Sequence, residues 1–243
     1  MEKRDYKDSV INKMENYFDE LWEHDFSESP QNNLSQYEKE KGKEKRKEFN
    51  RKLNKVKKKK PHFFGTDFNW DKKTFPVKNI SFIHNPIERL NKEPKILYDI
   101  IELMENSEKS IFLQSPYIVP INDMLENLNL DNINVDVRLL TNSKASTPSY
   151  FATSGYIKYR KELADFAELH EYQKPGTIHA KTYVFDSRIN VVGSFNLDPR
   201  STYLSTESMV VIDSKELAID ILPARSFSTH ERGFLQRYRK VTR

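Results

Sequence analysis

Hydrophobic positions along this chain follow two periods, and the pattern changes character near residue 90. In the first stretch Val10, Met14, Tyr17, Phe18, Leu21 and Trp22 fall three or four positions apart, which predicts an amphipathic helix over residues 5–25. The polar run Ser27–Asn33 breaks it. Further on, Pro94 stands at a suitable first helical position, and Ile96, Leu97, Ile100, Ile101 and Met104 repeat behind it on one face. Residues 111–119, IFLQSPYIV, read as a buried strand, and a short helix through Leu125 and Leu128 follows. INVDVRLLT, residues 133–141, alternates as a strand does, and residues 154–169 return to helical spacing. Three β-branched runs close the regular region, at 177–186, 189–195 and 207–213. Strand, helix, strand, helix and then clustered strands predict an α/β fold, a mixed β-sheet flanked by helices. No internal repeat is visible.

Charge divides the chain into three parts. Between Lys39 and Lys60 there are thirteen Lys or Arg residues against three glutamates, although the net charge of the whole chain is only +4. This run reads either as a patch for the phosphates of lipid or nucleic acid or as a solvated helix or linker. It defines a basic surface and does not name a partner. Residues 1–89 are therefore expected to be a helix, a basic run and a linker, 90–220 the α/β domain, and 221–243 a basic tail. The absence of cysteine excludes disulfides, thiolate chemistry and cysteine-based zinc sites. No apolar run approaches the roughly 18 residues of a spanning helix, and the charged start MEKRDYKDSV is unlike a signal peptide. A cytoplasmic chain, peripheral on the inner membrane, is the expectation.

Candidate chemistry concentrates in residues 178–201, IHAKTYVFDSRINVVGSFNLDPRS. On a strand, His179, Lys181 and Tyr183 share one face, and Ile178, Ala180 and Thr182 the other. Asp186 closes that strand, and Ser194 and Asn196 share a face at the end of the next. Such a hairpin would converge an imidazole, a fixed cation and two neutral polar groups on one volume. That set suits a tetrahedral anion, with the cation and donors on phosphate oxygens and the imidazole at phosphorus.

The pattern His-x-Lys-x4-Asp-x6-Gly-Ser, with Asn two positions after the Ser, resembles the HKD signature of the phospholipase D superfamily, unbroken from His179 to Asn196. Glu207 sits where these proteins carry a carboxylate that holds the histidine. SPYIVP, LLTNSKAST, SGYIKYRKEL and GSFNLDPRS are similar to the second half of bacterial cardiolipin synthases, especially the subgroup without transmembrane helices. The likeness covers residues 10 to about 215, and the tail from Ile221 departs from it. ENYFDELWEH resembles the segment that follows the first of two HKD motifs, yet His24, His62, His84, His170 and His230 each lack a lysine two positions on. The chain thus resembles a C-terminal half.

The resemblance implies an αβαβα sandwich and a histidine pair that forms and resolves a phosphohistidine, with the roles of the two histidines open. It places Lys181 and Asn196 on phosphoryl oxygens, Ser194 in support, Glu207 on the far imidazole nitrogen and Asp186 at the turn beside the site. Tyr117 and Arg200 are candidates for the path of lipid or phosphate, or are structural. No metal or other cofactor is implied, because Lys and His supply the positive charge. The partners implied are a phosphatidylglycerol-type phospholipid, an anionic membrane surface, and a second HKD-bearing half or a homodimer. Two other readings stand beside this one: a single-motif phosphodiesterase that acts on nucleic acid as a dimer, and an inactive split half. The lipid reading is favoured because the cardiolipin-synthase-like segments lie outside the shared catalytic core.

Overall fold

The computed structural model describes residues 9–29, 33–65, 74–125, 133–147, 150–173, 175–222 and 238–241. Its contacts divide the chain into two compact units, Tyr17–Thr74 and the remainder. The larger unit is built on one eight-stranded mixed sheet. Its strands are β1 (Asn79–His84), β2 (Ser110–Gln114), β3 (Asp136–Asn142), β4 (Glu168–Tyr172), β5 (Thr182–Phe185), β6 (Ile189–Gly193), β7 (Ser208–Asp213) and β8 (Tyr238–Lys240). They lie in the order β1-β7-β6-β5-β2-β3-β4-β8. Strands β2, β3 and β4 run parallel, and every other pairing is antiparallel.

Helices cover both faces of this sheet, as the hydrophobic pattern predicts. The larger core joins Ile96, Leu97, Ile100, Ile101 and Met104 of one helix (Lys95–Glu105) to Tyr156, Tyr159 and Leu163 of another (Tyr150–Phe166), over Ile111, Leu113, Tyr183 and Phe185. Phe112 and Val184, the alternate residues of the same strands, face the other way and meet Ala218 of the helix Lys215–Ile221. Continuous apolar runs such as Ile111-Phe112-Leu113 are what a strand covered on both faces requires.

Several boundaries differ from the sequence expectation. The sheet begins before residue 90, because β1 pairs along its whole length with β7. The helical spacing of residues 154–169 predicts a helix that runs into β4; the helix instead stops at Phe166, and Leu169 is fully buried in a strand. Hydropathy hides β4 because its buried His170 and Glu171 are polar; Glu171 is held by Arg160 at 2.6 Å and the Tyr156 hydroxyl at 2.7 Å. The tail also returns to the sheet through β8. The strand expected over 177–186 is shorter, spanning only Thr182–Phe185. Leu128 and the helix start at residue 5 lie outside the described residues.

The helix Val10–Glu23 spans the division between the units, and its Phe18 and Trp22 stack at 5.9 Å and are exposed. In the smaller unit the basic run forms a 24-residue helix, Gln36–Lys59, with a capping box between Ser35 and Glu38. None of its described residues is buried, so its cations all face solvent.

Candidate active site

The parallel strands β2, β3 and β4 end on the same side of the sheet where β5 begins and β6 ends, as the register of Gln114 opposite Thr182 and of Thr182 opposite Val192 requires. That edge collects the polar residues of the motif. His179 is exposed and Lys181 is buried, at 7% exposure. The Lys181 Nζ stands 3.0 Å from His179 Nδ1 and 3.3 Å from Nε2, and donates to the His179 carbonyl at 2.9 Å. Burial pushes the Lys181 ammonium below its ordinary pKa, against the opposing pull of Glu207 and Asp198. A buried cation next to an exposed imidazole, with its carboxylates farther off, is arranged to receive an anion from solvent.

Residues 178–181 are not part of a strand, although the backbone still runs extended enough for Gly193 N–H to reach the Lys181 carbonyl at 3.3 Å. Two positions on, the fully buried Tyr183 donates its hydroxyl to the Phe195 carbonyl at 2.6 Å, which fixes the backbone beside Asn196. Gly193 is obligatory for close approach: a Cβ there would collide with the Ser208 carbonyl oxygen and come within 2.8 Å of Met209 Cα. Ser194 is tied to the same place, its Oγ accepting the Ser208 N–H at 3.0 Å.

Glu207 does not hold His179 in this structure. Its Oε1 accepts the Ser201 hydroxyl at 3.0 Å, and that same Ser201 oxygen receives the Asn196 amide at 3.2 Å. Ser201 is the link that the sequence reading missed. It lies in the five-residue helix Pro199–Tyr203, which Asp198 caps by accepting the Ser201 N–H at 2.8 Å. Its only sequence signal is the Asp-Pro-x-Ser spacing of a capped helix start.

Asp186 does not join the group. It sits across the four-residue strand β5 from Lys181, so it is separated from His179 by on the order of 20 Å of chain. Its carboxylate instead accepts the backbone N–H groups of Lys109 at 2.7 Å and of Glu108 and Ser110 at 3.1 Å. Burial raises its pKa, but these donors outweigh that and hold the carboxyl below its usual value. With φ of 54° at Asp186 and 52° at Ser187, the hairpin turn is of the mirror-image type that Asp tolerates. Tyr117 is half-buried, and the neighbouring Ile118 bridges to Leu197, beside Asn196. Arg200 is exposed on the short helix. Among the described residues no cluster of three His, Asp or Glu is placed to hold a metal.

The family model described as "Cardiolipin synthase, PLD-like domain" matches residues 100–222, just over half of the chain. The chain belongs to this phospholipase D-like family. The chain is 33% identical over 144 residues to cardiolipin synthase C of Escherichia coli (strain K12), in an alignment that covers 51% of this chain and 30% of that protein. It is 30% identical over 161 residues to cardiolipin synthase 1 of Staphylococcus aureus (strain COL), covering 63% and 32%. The chain spans about a third or less of the length of these relatives. Nuc from Salmonella typhimurium, a phospholipase D family member of known structure, aligns with a TM-score of 0.45 at 19% identity, over 67% of this chain and 99% of that one.

Proposed function

We propose that this chain is one half of a phosphatidyltransferase of the cardiolipin synthase type, acting through a phosphohistidine. The supporting observation is the exposed His179 imidazole with the buried Lys181 ammonium 3.0 Å away, inside the family-matched segment. One imidazole of a pair attacks phosphorus of a phosphatidylglycerol-type lipid, the P–O ester bond breaks, and the departing alcohol takes a proton from the second imidazole. An acceptor hydroxyl then gives its proton to that second imidazole and attacks the phosphohistidine, which frees the first. Lys181 and Asn196 stabilise the phosphoryl oxygens, and the burial of Lys181 strengthens the hold of its fixed cation on that charge. Ser201 and Glu207 hold Asn196 in place.

The second imidazole comes from another HKD-bearing half or a second copy, since His179 alone carries the motif here. The exposed Phe18 and Trp22 favour a covering half over a free monomer. Attachment to an anionic bilayer is assigned to the basic helix Gln36–Lys59, and among the described residues no helix is long and apolar enough to cross a membrane. The decisive experiment incubates the purified chain with radiolabelled phosphatidylglycerol, with and without a half that supplies a second His-x-Lys motif. Labelled cardiolipin is expected from the complemented reaction or from a dimer of the chain, never from a monomer, and none is expected with His179→Ala. Transfer by a species that light scattering shows to be monomeric, or by His179→Ala, contradicts the proposal.

A further inference from the structure

The backbone that carries His179 has a support problem. The last β2 partner of β5 is Gln114, opposite Thr182, so residues 178–181 have no strand beside them on that side. Asn142, the last residue of β3 and only 2% exposed, reaches across this gap. Its Oδ1 accepts the Ile178 N–H at 3.0 Å and its Nδ2 donates to the Ile178 carbonyl at 2.9 Å. One carboxamide thus makes the two bonds that a neighbouring strand would have made. The same Nδ2 donates to the Pro116 carbonyl at 3.2 Å. The loop behind it adds a second tie: the Thr177 hydroxyl donates to the Ser146 carbonyl at 2.7 Å, and Ser146 Oγ donates to the Tyr172 carbonyl at 2.9 Å.

We infer that Asn142 is a positioning residue for the reaction, clamping the chain one residue before His179 and one before Tyr117. The inference rests on the proposed chemistry at His179, but its geometry can be tested without turnover. Asn142 is suited to this because an amide presents a donor and an acceptor side by side, the same pair that a peptide group offers. Aspartate keeps the shape and the acceptor, yet sets a carboxylate oxygen against two carbonyls. Alanine removes both bonds.

A matched control exists at the far end of β6. Asn190 is equally buried and donates to the carbonyls of Arg188 at 2.9 Å, Ile212 at 3.2 Å and Ser214 at 2.8 Å, away from the site. The experiment compares Asn142→Ala, Asn142→Asp and Asn190→Ala in the full chain. Amide hydrogen exchange on the isolated chain reads the clamp directly. In Asn142→Ala, which removes the acceptor of the Ile178 N–H, the Ile178 amide should exchange roughly tenfold faster while Val184 stays protected, and Asn190→Ala should leave Ile178 unchanged. In the complemented transferase assay the Asn142 variants should lose about 10–100-fold in kcat with KM little altered, as for other groups that orient a catalytic side chain. If Asn142→Ala does not fold, Asn142→Asp carries the test through kcat, because it loses the two Nδ2 donor bonds while keeping the side-chain shape. Unchanged Ile178 exchange overturns the inference, and so does an equal loss of kcat in Asn190→Ala, which would mark a general stability effect. If no transferase activity exists in any preparation, the exchange result still decides the clamp, and the failure falls on the proposed function alone.

Discussion

Replacing Asp186 by Asn separates architecture from chemistry within the HKD motif. Asn keeps the side-chain shape, tolerates the φ of 54°, and retains one acceptor oxygen, but it gives up the charge to which three backbone N–H groups point. A hydrogen bond to a charged group contributes about 1.5–3 kcal/mol when shielded. Glu108 and Lys109 are exposed and can turn to water, whereas Ser110 is half-buried, so most of the loss is confined to one bond. The expected destabilisation is about 2 kcal/mol, which with a urea m-value of about 1–3 kcal/mol/M lowers the midpoint by roughly 1 M. The sign with pH follows from the direction of the shift. The folded carboxyl titrates below its unfolded value of about 3.9, so its contribution is complete above that pH and disappears as pH falls through the lowered folded value. Urea unfolding followed by circular dichroism at neutral pH and near pH 3 should therefore show a gap between wild type and variant that narrows in acid. Equal midpoints at neutral pH, or a gap that persists in acid, would refute the reasoning. A fall in kcat without a change in stability would place Asp186 in the chemistry after all.

Three more outcomes follow from the same geometry. Gly193→Ala should cost about 1–3 kcal/mol through overpacking against Ser208 and Met209, seen as a lower thermal midpoint, and a wild-type midpoint would show that β6 and β7 can separate freely. Lys181→Met removes a cation that burial disfavours, so its thermal midpoint should match or exceed wild type while transfer in the complemented assay falls at least about 100-fold; a large drop in midpoint would make Lys181 a structural residue. Binding of the chain to phosphatidylglycerol vesicles should weaken steeply with ionic strength through the exposed lysines of Gln36–Lys59, and binding indifferent to salt would point to apolar attachment.

The elements with strong periodicity were legible in the sequence. Ile96, Leu97, Ile100, Ile101 and Met104 all point inward from one helix because their spacing leaves a helix no other apolar face. The β5–β6 hairpin was equally clear, since a short turn between β-branched stretches leaves little else to form. What escaped the pattern was polar and buried. β4 hides its role because Glu171 is satisfied by Arg160 and Tyr156, partners a helix turn or more away in sequence, and hydropathy cannot anticipate the pairing. Ser201 and Asn142 escaped for the same reason: each acts through carbonyls or carboxylates brought close only by the folded sheet. Alternation did place His179 and Lys181 as neighbours, but it could not show that regular pairing stops at Thr182.

The three-residue strand β8 has a consequence for how the molecule behaves in a crowded solution. It caps β4, whose Leu169, His170 and Glu171 are buried and whose outer backbone groups would otherwise be open to any extended chain. A short strand bearing Arg239 and Lys240 is a poor template for a further strand, because neighbouring copies would bring like charges together. Cleavage before Tyr238 would remove that guard and uncover a longer edge beside apolar residues. Self-association through strand addition at β4 would then compete with folding, and the trimmed chain would precipitate under conditions that leave the intact one dispersed.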